Sequence, residues 1–314
     1  MAHDNDHHGH DHHGHGHGGH SHAPASFGRA FAIGTALNAA FVATQVFYGL
    51  AAHSVALLAD AVHNFGDVLG LLVAWGAATL ARRGPTQART YGWGRSTILA
   101  SLANAVALLL GCGAIAVEAI RRIGDAPPVA GRTVMWVAAL GIVINGATAL
   151  LFLRGRKGDL NVRGAFLHMA SDAVVSAGVV GAGLLILATG WRWVDPATSL
   201  AIVAVIVAAT WGLLRDSTNL ALDAVPGGIH LPHVETALSG LSGIVEVHDL
   251  HVWALSTTET ALTAHLVTDG HEPADLVRQA CVLLQERFRI GHATIQVESV
   301  ATAAACGLRS SDVV

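Results

Sequence analysis

The chain has 314 residues, 52% of them hydrophobic and 13% charged, with a mean hydropathy of +0.50 and a formal net charge of −4. Charged residues make up about 25% of an ordinary soluble domain, so half the usual solvated surface is missing and the composition is that of a membrane protein. The small net charge gives no footprint for nucleic acid, no GxxxxGK[ST] loop points to ATP, and no HExxH points to a zinc protease. The three cysteines (Cys112, Cys281, Cys306) form neither CxxC nor an even-numbered disulfide framework.

The first 22 residues hold ten of the twenty histidines, interleaved with Gly and Asp. They lack the basic start and apolar run of a signal peptide. With nothing to bury, residues 1–27 are expected to be a disordered arm that gathers divalent metal on imidazole. Six apolar runs follow, at about 28–51, 54–81, 97–120, 133–153, 164–189 and 196–214. Each is long enough to cross a ~30 Å hydrocarbon core. Charge, Pro and Gly break them at "ARRGPTQARTYGWGR", "RRIGDAPPVAGR", "RGRKGDLNVRG" and "GWRWVDP". The loops after the second and fourth spans carry Arg82, Arg83, Arg89, Arg95, Arg154, Arg156, Lys157 and Arg163. The alternate loops carry only Arg121, Arg122, Arg132 and Arg192. The positive-inside rule then puts both termini in the cytoplasm, and residues 28–215 form a multi-pass unit expected in the bacterial inner (plasma) membrane. After Arg215 a short helix at 229–241 is expected. Strands follow at "IVEVHDLHVWAL" and "TALTAHLVTD", a helix at 273–288 and a third strand at "ATIQVES". This pattern predicts a small α+β cytoplasmic domain over 216–300, with helices on one face of a sheet and a flexible tail at 301–314.

Ionisable side chains at the bilayer centre are expensive, at least ~2.5–3.5 kcal/mol each, yet the second span contains Asp60, His63 and Asp67. His63 and Asp67 are an i,i+4 pair on one helix face. "HMASD" in the fifth span repeats the spacing with His168 and Asp172. Two imidazole nitrogens and two carboxylate oxygens match in number and type a tetrahedral Zn²⁺ site; Co²⁺, Cd²⁺ and Fe²⁺ fit the same donors. A single intramembrane His or Asp is usually an interhelical hydrogen-bonding residue, but the repeated HxxxD favours ligands. Asp60, one turn nearer the outer end, either gates the outer mouth or faces water. Glu118 is expected to form a surface ion pair with Arg121 or Arg122. Asn38, Asn104 and Asn145 are expected to join helices, and Gly66 with Gly70 reads as a GxxxG close-packing step.

These six spans, "LLADAVHNFGD" with "HMASD", the His-rich arm and "VHDLHVWAL" resemble the cation diffusion facilitator family, proton-coupled exporters of zinc and related metals, over nearly the whole chain. The resemblance implies a homodimer in the lipid bilayer, a transport site on His63, Asp67, His168 and Asp172, and a six-helix transmembrane bundle with a ferredoxin-like cytoplasmic domain. A further metal site on His248, His265, His292 and Glu298 falls where the family's cytoplasmic ligands tend to lie, with His251 expected on the opposite strand face from His248. The first span departs from the family pattern: Gln45 stands where many relatives carry Glu.

Ligands of this kind must be deprotonated to hold metal, so binding releases protons and protons expel metal. Histidine's ordinary pKa of ~6.5 puts that competition near physiological pH. The reading is a secondary transporter, not an enzyme, exporting Zn²⁺ (with Cd²⁺ or Co²⁺ as possible cargo) against protons by alternating access. A membrane-bound metal sensor and a metal-selective channel using the same ligands remain as alternatives.

Overall fold

In the computed structural model, residues 29–152, 160–270 and 273–304 are described. The His-rich arm, Arg154, Arg156, Lys157 and Cys306 lie outside them. Six long helices come first: α1 (Arg29–Ala51), α2 (Val55–Ala81), α3 (Ser96–Gly124), α4 (Gly131–Phe152), α5 (Leu160–Thr189) and α6 (Val194–Ala221). Among the described residues five of these, α2 to α6, are long and apolar enough to cross a membrane. In α1 the apolar stretch Thr35–Ala51 is shorter. Charge marks the ends of the apolar runs but not of the helices. α3 continues through Arg121 and Arg122, and α6 runs on to Ala221 because "LRDSTNLA" is polar yet free of helix breakers.

The helices pack through small residues. A Cβ on Gly66 would come within 2.6 Å of Leu108, and one on Gly70 within 2.9 Å of Asn104. The GxxxG step of α2 is thus the seam against α3. Phe41 and Ser176 close on Gly141 in the same way, holding α1, α4 and α5 together. A buried apolar cluster of Ala59, Cys112, Val134, Ala138, Val179, Ile202 and Ile206 joins α2 to α6. Glu118 pairs with Arg122, one turn along α3, at 2.7 Å.

A small α+β unit follows: α7 (Leu231–Ser239), β1 (Ile244–Ala254), β2 (Thr260–Thr268), α8 (Pro273–Phe288), β3 (His292–Ser299) and α9 (Val300–Ala303). Residues 301–303 of the expected tail are therefore helical, and Ala303 is buried because α9 folds back on the sheet. Among the described residues the sheet has three strands in the order β1-β2-β3, with β1–β2 antiparallel and β2–β3 parallel. Val234 and Leu238 of α7 and Ala280 and Leu284 of α8 pack on Val252, Leu262, Ala264 and Leu266. One sheet face is thereby covered by helices, and the other carries His248, His265 and Glu298 together with the buried Ala261 and Val267.

This unit meets one end of the bundle, hereafter the near end. The Thr257 amide donates to Thr97 Oγ1 (3.0 Å), Tyr91 and His292 meet edge to face with centroids 5.4 Å apart, and Arg95 is paired with Asp223. A Cβ on Gly94 would lie 2.8 Å from the Leu255 carbonyl oxygen, so only glycine allows this approach.

Candidate metal centre

α2 and α5 run in opposite directions past each other, so their polar residues stack in layers. His63 Nε2 lies 3.0 Å from Asp172 Oδ1, and His168 Nε2 lies 3.5 Å from Asp67 Oδ2 and 3.7 Å from Asp172 Oδ2. Ligand atoms of His63, Asp67 and Asp172 all fall within 4.8 Å of one another. Bonds of ~2.0–2.1 Å to a tetrahedral zinc put ligand atoms ~3.3 Å apart, and the observed separations bracket that edge. With neutral imidazoles the two carboxylates leave a charge that a divalent cation compensates. Exposure is graded along the bundle: His168 is 27% and Asp67 26% exposed, His63 18% and Asp172 2%.

One turn towards the far end the structure is closed. Asp60 is fully buried and does not face water. Its Oδ2 accepts from Gln45 Nε2 (2.6 Å) and Ser176 Oγ (3.3 Å), while Gln45 Oε1 accepts from Asn64 Nδ2 (3.0 Å). Gln45 thus has a structural place: an amide that offers a donor to Asp60 and an acceptor to Asn64, which a carboxylate could not do. Ser176, one turn along α5 from Asp172, and Asn64 were not evident from the sequence, since polar residues of this size are common helix-joining groups in spans.

A second cluster lies on the sheet face opposite α7 and α8. His265 Nδ1 is 3.0 Å from Glu298 Oε1, and His248 Nε2 is 3.7 Å from Glu298 Oε2. Ligand atoms of the three residues fall within 4.8 Å. Both ring nitrogens of His248 and Glu298 Oε2 are buried with no hydrogen-bond partner, the condition of donors that suit a cation. His292 shares this sheet face but pairs with Ala261, four residues from His265. At ~3.3 Å per residue that is about 13 Å along the strand, and its ring meets Tyr91 instead. His251 is on the same face as His248, contrary to simple alternation. A bulge between the pairs His248↔His265 and His251↔Thr263 inserts one residue, with Asp249 at φ 49°. Asp249 then reaches both His251 (2.9 Å) and His265 (3.5 Å).

The sequence matches two family models: the cation efflux transmembrane domain over residues 31–220 and the cation efflux protein cytoplasmic domain over residues 226–300. It is 35% identical over 277 residues to the metal cation efflux system protein CzcD of Cupriavidus metallidurans, covering 88% of both chains. It is 33% identical to the cadmium, cobalt and zinc/H(+)-K(+) antiporter of Bacillus subtilis, covering 83% of this chain and 86% of that one. Identity to the zinc transporter ZitB of Escherichia coli is 35%, covering 83% and 84%. A solved structure, the metal-bound C-terminal domain of the Cupriavidus CzcD transporter, matches 22% of this chain and 99% of its own at 33% identity, with a TM-score of 0.21.

Proposed function

Because the chain belongs to the cation efflux family, the cation diffusion facilitators, and is thus a multi-span metal-exporting transporter and not an enzyme, we propose that its cargo is Zn²⁺, with Cd²⁺ and Co²⁺ as secondary cargo, moved by alternating access in exchange for protons. One observation carries this: two antiparallel helices bring ligand atoms of His63, Asp67 and Asp172 within 4.8 Å of one another inside the bundle, with His168 3.5 Å from Asp67 and 3.7 Å from Asp172. His63, Asp67, His168 and Asp172 are the ligands. The cargo displaces protons from the imidazoles on loading, and protons displace the cargo on release. The relatives named for zinc, cadmium and cobalt transport, one of them an antiporter using H⁺, support the same cargo and coupling.

In this reading the near end, with the α+β domain, faces the cytoplasm, as the basic loops indicate. The protein lies in the bacterial inner membrane with both termini inside. α1 completes a six-span bundle, the α+β domain is ferredoxin-like, and two copies assemble as a homodimer. His248, His265 and Glu298 hold a second divalent ion in the cytoplasmic domain, with Asp249 within reach and His292 outside the set. The graded exposure of the quartet and the closed Asp60 layer favour a carrier over an open channel.

The test is purified protein in liposomes with a metal-sensitive dye inside. Zn²⁺ uptake is expected to rise with an imposed pH gradient and to collapse when a protonophore removes it. Metal binding without gradient-driven uptake would leave a sensor, and uptake indifferent to the gradient would leave a channel.

A further inference from the structure

Asp195, the second residue of α6, is 1% exposed. Its carboxylate accepts from Ser54 Oγ (2.5 Å) and from the backbone amides of Val55 (2.7 Å) and Ala56 (3.4 Å). Those amides are the free donors at the N-terminus of α2, the helix that carries His63 and Asp67. The contact is charge-assisted and reinforced by the positive end of the helix dipole. Ser54 Oγ itself accepts from the Leu57 amide (3.1 Å). Asp195 completes the cap at Val55 and Ala56, and because it comes from α6 that cap is also a tie between two helices. A buried carboxylate is a costly way to gain stability, and such groups are better attested as devices that select one arrangement.

The turn that Asp195 grips is held from two other sides. Arg122, near the end of α3, donates from Nη1 to the His53 carbonyl (2.9 Å), and the Ala130 amide donates to the Ala52 carbonyl (3.1 Å). Residues 52–54 are thus gathered by the far ends of three elements besides α1 and α2, in the state where the quartet is more exposed towards the near end and the Asp60 layer is shut.

We propose that Asp195 is the positioning residue of the far-end gate: its clasp on Ser54 and the α2 N-terminus forms when the metal site faces the near end and releases when it faces the far end. This rests on the alternating-access reading above. A fixed pivot, kept in every state, is the competing role, and the two differ in what a permanent bond does. A pivot tolerates one. A clasp does not.

The experiment uses the full chain with Cys112, Cys281 and Cys306 replaced by Ser, carrying Ser54→Cys and Asp195→Cys, in liposomes. Zn²⁺ uptake is measured before bridging with a short bifunctional thiol reagent, after bridging, and after reduction. Bridging is expected to cut uptake by about tenfold or more, with Zn²⁺ binding retained and uptake restored on reduction. Uptake unchanged by complete bridging overturns the clasp in favour of a pivot. If the unaltered chain shows no gradient-driven uptake, the transport reading fails instead, and the clasp with it. Asp195→Asn provides an arm without a cross-link. With Ser176→Cys as reporter, a membrane-impermeant thiol reagent added from the far side should label it about tenfold faster once the charge is gone. Equal labelling rates with and without Asp195→Asn, in protein that still binds Zn²⁺, also overturn the proposal.

Discussion

His63 Nε2 and Asp172 Oδ1 meet at 3.0 Å although 109 positions separate them in the chain. The contact spans α2 and α5, so a carboxylate of one helix is oriented by an imidazole of the other. Such placement removes much of the ordering cost of coordination.

Asp172→Ala is expected to abolish transport in a folded, membrane-inserted protein. The carboxylate also faces His168, and no neighbour on the helix face replaces it. Zn²⁺ affinity at the transmembrane site should fall by roughly 100-fold or more, measured by calorimetry in detergent beside vesicle uptake. Wild-type uptake in this variant would remove Asp172 from the site.

Selectivity is expected to follow donor hardness. His63→Asp replaces a nitrogen by oxygen and leaves one imidazole, His168, in the set. The preference for Zn²⁺ over Mn²⁺ should narrow by about tenfold, read as competition in vesicles with His168→Asp alongside. An active His63→Asp protein with an unchanged metal ranking would show that His63 does not set selectivity.

The pH dependence has a definite sign. Imidazole binds metal only when neutral, so lowering the pH through the ordinary histidine range of about 6.5 weakens binding. Zn²⁺ titrations at pH 7.5 and 5.5 should give the weaker constant at 5.5, with protons released on binding at 7.5. In the His63→Asp, His168→Asp double variant the fall should move to lower pH, towards the carboxylate range.

Glu298→Gln is expected to lose one bound Zn²⁺ per chain while leaving the quartet intact. Glu298 is 3% exposed and bridges His248 and His265. Metal counting on the full chain checks it, with His292→Ala as the control that should lose none. If His292→Ala also loses an ion, the cytoplasmic set has been assigned too narrowly.

Both HxxxD pairs were legible in the sequence because an intramembrane His or Asp is conspicuous against an apolar run. The C-terminal order of helix, strand, strand, helix, strand was legible too, from alternation and β-branching. Helix ends were not, because hydropathy reports where lipid contact stops and α3 and α6 continue past that point. Asp195 is hidden for a similar reason: "GWRWVDP" looks like a loop break, and only the fold shows the α2 amides it faces. Asp60 reads in the sequence as a gate or a wet residue, because the partners that enclose it, Gln45 and Ser176, come from other helices.

Gly94→Ala should loosen the joint between the bundle and the α+β domain. The added Cβ would press on the Leu255 carbonyl at 2.8 Å, a backbone atom that cannot rotate aside. Separation of the Thr97–Thr257 contact is the expected result, seen as faster proteolysis between residues 82 and 95. An unchanged digestion rate would show that the connection between β1 and β2 stays seated on the bundle.

The bulge in β1 gives that strand one residue to spare. His248 and His251 face the same way three positions apart, opposite partners only two apart. Removing Asp249 or Leu250 would restore plain alternation, leaving His248 beside His265 and Val252 in the apolar layer beneath α7 and α8. A deletion away from the bulge has no spare position to absorb it and turns over the side chains between the cut and the bulge, exchanging ligands for core residues. A library of single-residue deletions along residues 244–254 is therefore expected to keep metal best where the strand has its surplus, at 249 and 250.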